Sequence, residues 1–200
     1  MNGLEHLDRL TTALARLPGV GRRSAERMAY RLAWDPDGAL RDLLEALREA
    51  QAHVRLCGRC GGMTTATEDP CRLCTNPARD RTVLCVVQDP SDIVAIERTG
   101  SYKGRYHALM GIISPMHGEG PRDLRLGSLM RRIEDEAFQE VILALGTDVE
   151  SESTGSFIAE LLKAKSVRIT RLASGIPVGS GIQYSDPVTL ARAIKGRQAL

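Results

Sequence analysis

The sequence predicts a multidomain α+β protein: a small helical hairpin domain, then a four-cysteine module, then an α/β domain with a parallel sheet. Three observations indicate this order. Apolar residues recur with helical spacing through 1–56, four cysteines form two CxxC pairs within 57–80, and short apolar runs punctuate 81–175. Residues 176–200 are predicted to form a C-terminal extension.

The composition indicates a folded chain. Of 200 residues, 42% are hydrophobic and 26% are charged, and 27 basic against 25 acidic side chains leave a net charge of +2. The longest apolar runs, such as 141–145, are far shorter than the roughly 20 residues that a bilayer span requires, and the first ten residues lack an apolar signal core. We therefore expect a soluble, cytoplasmic protein with no membrane partner.

The first segment is predicted to be all-helical. Because proline disfavours helical backbone at the residue before it, we expect Pro36 to separate the second helix from the third. Apolar stripes at positions i, i+3, i+4 and i+7 are typical of amphipathic helices. Two such stripes are Ala25, Met28, Ala29 and Leu32, and Leu40, Leu43, Leu44 and Leu47.

A glycine-rich turn separates the first two predicted helices, where Gly19 and Gly21 permit a tight backbone turn. The unpaired N–H groups and the positive dipole end of the next helix converge there, where a phosphate can bind. Arg22, Arg23 and Arg27 add full charges beside it. Such contacts predict salt-sensitive DNA binding that is independent of sequence. The alternative is that the glycines only cap a helix and the arginines form a solvated face.

Four of the five cysteines predict a zinc site. Cys57 with Cys60, and Cys71 with Cys74, form two CxxC pairs separated by ten residues, a spacing typical of zinc ribbons and zinc fingers. A redox site needs only one pair, and a reducing cytosol disfavours disulfides. Because four thiolates leave no open position, we expect one structural Zn²⁺ per chain. Cys85 lies in an apolar run and is predicted to be a buried hydrophobe.

The third segment is predicted to contain a parallel α/β sheet. Its apolar runs are 82–87, 141–145 and 167–170, and helical or loop stretches separate them. His107 and His117 lie near serines but lack an orienting acid, so we expect ordinary loop or interior histidines there.

The hairpin sequence LPGVGRRSAERMAY resembles the helix-hairpin-helix of the RecR family of recombination mediators, and the adjacent cysteine module strengthens the match. Segments 79–81, 86–90, 102–107 and 175–179 also resemble signatures of this family, in the right order. The resemblance implies a non-enzymatic, ring-shaped homotetrameric clamp on single- or double-stranded DNA. Members act with RecO and RecF to load RecA on gapped or single-stranded DNA in recombinational repair.

The resemblance further implies that 81–175 form a Toprim domain. In topoisomerases and primases, this fold holds Mg²⁺ with a glutamate after the first strand and an Asp-x-Asp pair after a later one. The matching positions are Gln88, Gly146 and Asp148, so one acid of three remains. Asp89, next to Gln88, would point to the opposite face of a strand. This pattern favours a non-catalytic domain, and the alternative is a Mg²⁺-dependent Toprim nuclease or primase-like enzyme.

Glu150-Ser151-Glu152 stands where the family usually has Glu-Gly-Glu. We expect serine to strain a turn that requires a glycine conformation. By resemblance, Asp148, Glu150 and Glu152 would dock RecO and RecF, and the alternative is a solvated acidic loop at a helix start. The helical tail 189–195 would serve an intersubunit contact.

Overall fold

The computed structural model describes residues 3–35 and 37–197, and the chain divides into two compact units, Met1–Val54 and Arg55–Leu200. Pro36 and the last three residues of the predicted C-terminal segment lie outside the described residues. The cysteine module, the sheet and the C-terminal extension share the second unit. Their division into separate domains stays a prediction.

The described residues of the first unit form the predicted helical domain. Its helices are α1 (Gly3–Leu14), α2 (Arg22–Trp34) and α3 (Ala39–His53). Helix α2 packs against α1 and buries Ala25 and Ala29 completely, as its apolar stripe predicts. Small side chains at these two positions allow the helix backbones to approach closely.

The apolar stripe of α3 lies on the surface. This helix has no buried residue, and Leu43, Leu44 and Leu47 are 40%, 45% and 57% exposed. Single exposed leucines are ordinary, but a row of them along one helix face marks a surface that a further protein segment can cover.

The cysteine module is built from very short elements. Strands β1 (Val54–Leu56) and β2 (Met63–Thr65) pair with each other, and the one-turn helix α4 (Arg72–Thr75) follows. The first CxxC pair lies on the turn between the two strands, and the second pair lies at the start of α4. Elements of this length cannot form a core by themselves, so other contacts must hold them.

A four-stranded parallel sheet forms the centre of the second unit, as predicted. Its order is β4-β3-β5-β6, and all neighbouring strands are parallel. The strands are β3 (Val83–Val87), β4 (Arg105–Ala108), β5 (Glu140–Ala144) and β6 (Arg168–Arg171). The apolar runs predict β3, β5 and β6. They miss β4, because its sequence RYHA is largely polar although all of its residues are buried.

Helices connect the strands. Helix α5 (Pro90–Arg98) follows β3, α6 (Leu126–Asp135) follows β4, and α7 (Val149–Leu162) follows β5. Helix α8 (Pro187–Lys195) confirms the predicted helical tail. No helix in the described ranges is long and apolar enough to cross a membrane.

The sheet has an apolar core on each face. Leu84 and Val86 of β3 belong to one core, and Cys85 and Val87 to the other, because successive side chains of a strand point to opposite faces. The second core also contains the four cysteines of the predicted zinc site. The cysteine module therefore packs directly on the sheet, which explains why such short elements form one unit with it.

His107 is a fully buried residue of β4, which confirms the prediction of an interior histidine. Its Nε2 lies 3.1 Å from the Arg125 carbonyl oxygen, and burial lowers the pKa of His107 to about 3. An unfolded histidine titrates near 6.5, so between these pH values the unfolded state binds a proton that the folded state does not. Stability should therefore fall as the pH drops below 6.5.

Replacing His107 with glutamine should flatten this pH dependence. Between pH 7 and pH 5, protonation of His107 in the unfolded state should cost the unsubstituted chain about 2 kcal/mol, and the variant should lack this loss. Urea unfolding at both pH values measures it, with His53→Gln on the exposed end of α3 as the control. An equal pH dependence in the His107 variant and the unsubstituted chain would contradict the prediction.

Candidate functional site

The predicted DNA-contacting glycines lie at the turn between α1 and α2. Gly19 has a φ of +77°, a left-handed conformation that glycine adopts without strain, and a Cβ at Gly19 or Gly21 would meet no atom within 4 Å. Gly21 precedes α2, and no described side chain caps the helix there. The first backbone bond runs from Ala25 N to Gly21 O at 3.0 Å, so the earlier N–H groups of α2 are available to a ligand.

The three predicted arginines are exposed in the first two turns of α2. Arg22 Nε lies 3.3 Å from Glu26 Oε1, a surface ion pair that contributes little to stability. Arg23 and Arg27 are four residues apart and share one face of the helix. Among the described residues, neither has an ion-pair partner. The structure thus brings an open glycine turn and two free guanidinium groups together.

The four predicted zinc ligands form one cluster. Their Sγ atoms all lie within 4.8 Å of one another, and every one of these cysteines is buried. The Sγ atoms of Cys57 and Cys74 are 3.9 Å apart, and those of Cys60 and Cys71 are 3.5 Å apart. Sulfurs bound to one zinc at about 2.3 Å lie about 3.8 Å apart in a tetrahedron. The cluster therefore fits one zinc ion.

The close sulfurs perturb one another. A hydrogen bond from the Cys60 thiol lowers the pKa of Cys71, and the same bond raises the pKa of Cys60. The Cys60 thiol also raises the pKa of Cys74 above its ordinary range. Four thiolates at these distances would require a cation between them, and a divalent metal that prefers thiolate ligands, such as zinc, fits this requirement.

Cys85 lies outside the cluster, in β3. It is buried in the core that packs against the cysteines, and burial raises the pKa of its thiol to about 12. This confirms that Cys85 is a small buried hydrophobe rather than a fifth ligand.

Two arginines that the sequence analysis did not single out hold the backbone of the cysteine module. Arg125 Nη2 donates to the Gly58 carbonyl at 2.9 Å, and Arg105 Nη1 donates to the Cys74 carbonyl. Both arginines are distant from the cysteines in sequence. Residue spacing contains no signal for these contacts, and only the fold brings the groups together.

The positions that match the Toprim acids lie at the carboxyl edge of the sheet, where Gln88 follows β3 and Gly146 follows β5. A Cβ at position 146 would lie 2.6 Å from Asp148 Oδ2 and 2.7 Å from Ser151 Oγ, so a side chain there would require these two side chains to move. Asp89 accepts a hydrogen bond from a backbone N–H of α5 and caps that helix. Asp89, the acid next to Gln88, therefore stabilises the start of α5.

The three acids predicted to dock partners lie at the start of α7, and each has a hydrogen-bond or ion-pair partner within the chain. Asp148 caps α7 through a backbone N–H at 2.9 Å. Glu150 Oε1 accepts from Ser114 Oγ at 2.5 Å, and Glu152 Oε1 lies 3.0 Å from Arg192 Nη2 of α8. Asp148 and Glu152 are exposed, whereas Glu150 is partly buried.

The predicted strain at Ser151 is wrong. This residue lies in the first turn of α7 and is not among the described residues with positive φ. Its N–H and Oγ donate to the Asp148 carboxylate at 2.9 and 2.8 Å, which lowers the pKa of Asp148. The serine hydroxyl thus adds a hydrogen bond that glycine could not provide.

Family models match most of the chain. The model for the RecR helix-hairpin-helix matches residues 7–51, that for the Toprim domain matches 82–173, and that for the RecR C-terminal region matches 175–198. Recombination protein RecR of Moorella thermoacetica is 48% identical over 196 residues, which cover 98% of either chain. The chain belongs to the RecR family. Its hairpin and cysteine sequences had indicated this membership.

Other RecR relatives show the same similarity. Recombination protein RecR of Thermobifida fusca is 48% identical over 191 residues, covering 96% of this chain and 95% of the relative. That of Bifidobacterium longum subsp. infantis is 46% identical over 192 residues, with the same coverage. The RecR models coincide with α1–α3 and with the α8 region, and the Toprim model spans β3 to β6. The predicted fold class is confirmed.

Proposed function

We propose that this RecR family member is a non-enzymatic DNA-binding mediator of recombinational repair. Its relatives are named recombination proteins, which supports a role in recombination. The observation that carries DNA binding is the open turn at Gly19 and Gly21, beside the free guanidinium groups of Arg23 and Arg27. Main-chain N–H groups and arginines at a helix start contact phosphates, which all sequences share. Binding is therefore independent of sequence.

Retardation of labelled single- and double-stranded DNA at low and moderate salt tests this proposal. Unrelated sequences should bind with similar affinity, and binding should weaken as the salt concentration rises. The same DNA incubated with the protein and Mg²⁺ or Mn²⁺ should remain intact. Absence of retardation in dilute buffer would refute DNA binding, whereas cutting or extension of strands would refute the lack of catalysis.

The lack of catalysis is supported by the carboxyl edge of the sheet. Mg²⁺-dependent phosphoryl chemistry requires several carboxylate oxygens at one place. Gln88 offers a neutral amide, Gly146 has no side chain, and the Asp148 carboxylate accepts two hydrogen bonds from Ser151. These residues favour binding over bond cleavage, so the nuclease or primase-like alternative lacks its metal ligands.

We propose that Cys57, Cys60, Cys71 and Cys74 hold one structural Zn²⁺. The spacing and burial of the four sulfurs support this assignment. A tetrahedral ion with four thiolate ligands has no open position for substrate, so its contribution is to folding. The reduced thiols that such a site requires agree with a cytoplasmic location.

We propose a ring-shaped homotetramer as the working assembly. The exposed leucines of α3 offer one apolar contact surface. The segment 176–200 offers another, and its strongly exposed apolar side chains are Val178, Ile182, Tyr184, Val188 and Ile194. In a ring, several copies of the arginine turn face one lumen and their phosphate contacts add up, which explains how a chain of net charge +2 can hold DNA.

Replacing Leu47 with glutamate should dissociate or weaken this assembly. The leucine contact is lost, at a cost of about 2 kcal/mol per buried side chain, and the new carboxylate would be buried without a partner. Native mass measured over a range of protein concentrations should shift to smaller species. Glu45→Gln, an exposed change on the same helix, is the control. An unchanged mass for the Leu47 variant would exclude α3 from the interface.

Docking of RecO and RecF at Asp148, Glu150 and Glu152, followed by RecA loading, completes the proposal. The position of these acids at one helix start and the exposure of Asp148 and Glu152 support it. Native mass measured with and without RecO and DNA tests whether these complexes form.

A further inference from the structure

We infer that Arg105 and Arg125 are positioning residues for the cysteine site. They neutralise the charge of the metal–thiolate centre and hold its backbone turns, and thereby set how tightly the chain retains zinc. This inference rests on the proposed zinc site, since it concerns the residues that surround the four ligands.

The charge of such a centre requires compensation. Zn²⁺ with four thiolates carries a net charge of about −2, since each ligand binds as an anion. All four cysteines are buried. A buried charge is costly unless an opposite charge or hydrogen-bond donors accompany it. Two nearby guanidinium groups would balance the centre.

Arg125 lies against the first CxxC turn. Its Nη2 donates to the Gly58 carbonyl at 2.9 Å and lies 3.4 Å from the Arg59 carbonyl. A Cβ at Gly61 would collide with Arg125 Nη1, so the guanidinium rests directly on the backbone next to Cys60. The φ of +78° at Gly61 favours glycine at this position, since other residues rarely adopt this left-handed conformation.

Arg105 lies against the second CxxC turn. Its side chain is only 3% exposed, and Nη1 donates to the carbonyl of the ligand Cys74. Three residues later on β4, the Ala108 N–H donates to the carbonyl of the ligand Cys60 at 2.7 Å. Strand β4 thus anchors one ligand from each CxxC pair.

Arg105, which is buried, and Arg125, which is partly buried, lack a carboxylate partner among the described residues, unlike the buried Arg79 and Arg132. Arg79 pairs with Glu97 at 2.7 Å, and Arg132 pairs with Glu136 at 2.9 Å. Within residues 3–35 and 37–197, Arg105 and Arg125 form no ion pair with an acid. In the same ranges, Arg105 Nε and Arg125 Nη1 are buried without a hydrogen-bond partner, as is Arg132 Nη2, but Arg132 has its carboxylate. Buried cations and donors of this kind are costly alone. In the inferred arrangement the thiolate centre supplies the missing anion, because both guanidinium groups contact the backbone of its CxxC turns.

Zinc retention by the full chain tests the inference. The variants Arg105→Met and Arg125→Met remove the charge and keep a long side chain. The corresponding Lys variants keep the charge but lack the planar guanidinium group with its several hydrogen-bond donors. Arg79→Met is the matched control, a buried arginine that contacts Glu97 and Gly104 instead of a CxxC turn. A competing chelator measures zinc affinity, and the visible spectrum of bound Co²⁺ reports tetrahedral thiolate coordination.

The Arg105→Met and Arg125→Met variants should bind zinc about 10- to 100-fold more weakly than the unsubstituted chain. This is the usual effect of removing a residue that holds the metal ligands without binding the metal itself. The Lys variants should recover part of the loss, and Arg79→Met should bind as tightly as the unsubstituted chain. Saturation with Co²⁺ should give the same spectrum in all of them. If Arg105→Met fails to fold, the zinc affinity of Arg125→Met tests the inference, because Arg125 is the more exposed of the two residues.

Two results would overturn the inference: unchanged zinc affinity in the Met variants, or an equal loss in Arg79→Met. Both leave the zinc site itself intact. If the unsubstituted chain binds neither Zn²⁺ nor Co²⁺, the proposed zinc site fails first, and this failure is distinct because it precedes any comparison of variants.

Discussion

Cys57→Ser, or removal of zinc by a chelator, should strongly destabilise the second unit. Structural zinc contributes on the order of 10 kcal/mol to folding, which is comparable with the whole stability of a typical domain. The four cysteines belong to the same core as Val87 of β3 and Tyr106 of β4. Loss of the metal should therefore disturb the sheet as well as the short elements that carry the ligands.

Calorimetry and zinc content measure this effect together. We expect the unfolding midpoint of the Cys57 variant to fall well below that of the unsubstituted chain, with loss of the one zinc per chain and disturbed assembly. Cys85→Ala is the matched control: it removes a buried thiol from the same core and should cost about 1–2 kcal/mol while leaving the zinc content unchanged. A metal-free protein that unfolds at the same temperature as the zinc-loaded one would show that the site is dispensable.

The double variant Arg23→Ala and Arg27→Ala should weaken DNA binding about equally for all sequences. The two side chains share one face of α2 and contact phosphates in the proposed complex, so no base preference should change. Each phosphate contact that is lost should reduce the slope of log K against log salt by about 0.7 to 0.9. If several subunits of the proposed ring contact the same DNA, the total reduction in slope should exceed that expected from the two arginines of a single chain.

Affinity for unrelated single- and double-stranded DNAs, measured over a series of salt concentrations, gives this slope. Arg9→Ala, an exposed arginine of α1, is the control and should retain the full slope. The native mass and the unfolding midpoint of the double variant should match those of the unsubstituted chain, because both arginines are exposed. A salt slope that stays the same would remove the hairpin from the DNA contact.

Local patterns predicted the elements whose chemistry is visible within a short stretch of sequence. The stripe around Ala25 and Ala29 marks the buried face of α2, and the apolar run before Gln88 marks β3. The CxxC pairs predicted a four-sulfur cluster, and the structure brings its sulfurs together. In each case, spacing along the chain translates directly into a shared helix face, strand or turn.

Strand β4 could not be predicted from local sequence patterns. Its residues Arg105 and His107 are polar, so hydropathy does not indicate a buried strand. They are buried because their polar groups meet the carbonyls of Cys74 and Arg125, which are distant in sequence. Ser151 is a different case, because its supporting contact is local: Asp148, three residues earlier, caps α7 and accepts from the serine N–H and Oγ.

The sequence by itself determined the helical hairpin with its glycine turn, the set of four cysteines, the parallel sheet and membership of the RecR family. Only the tertiary structure decided that the leucine stripe of α3 is exposed, that a side chain at position 146 would displace Asp148 and Ser151, and that two distant arginines support the cysteine turns. The physical reason is that periodicity and ligand spacing are local properties. Burial, close approach and charge compensation depend on which distant residues the fold brings into contact.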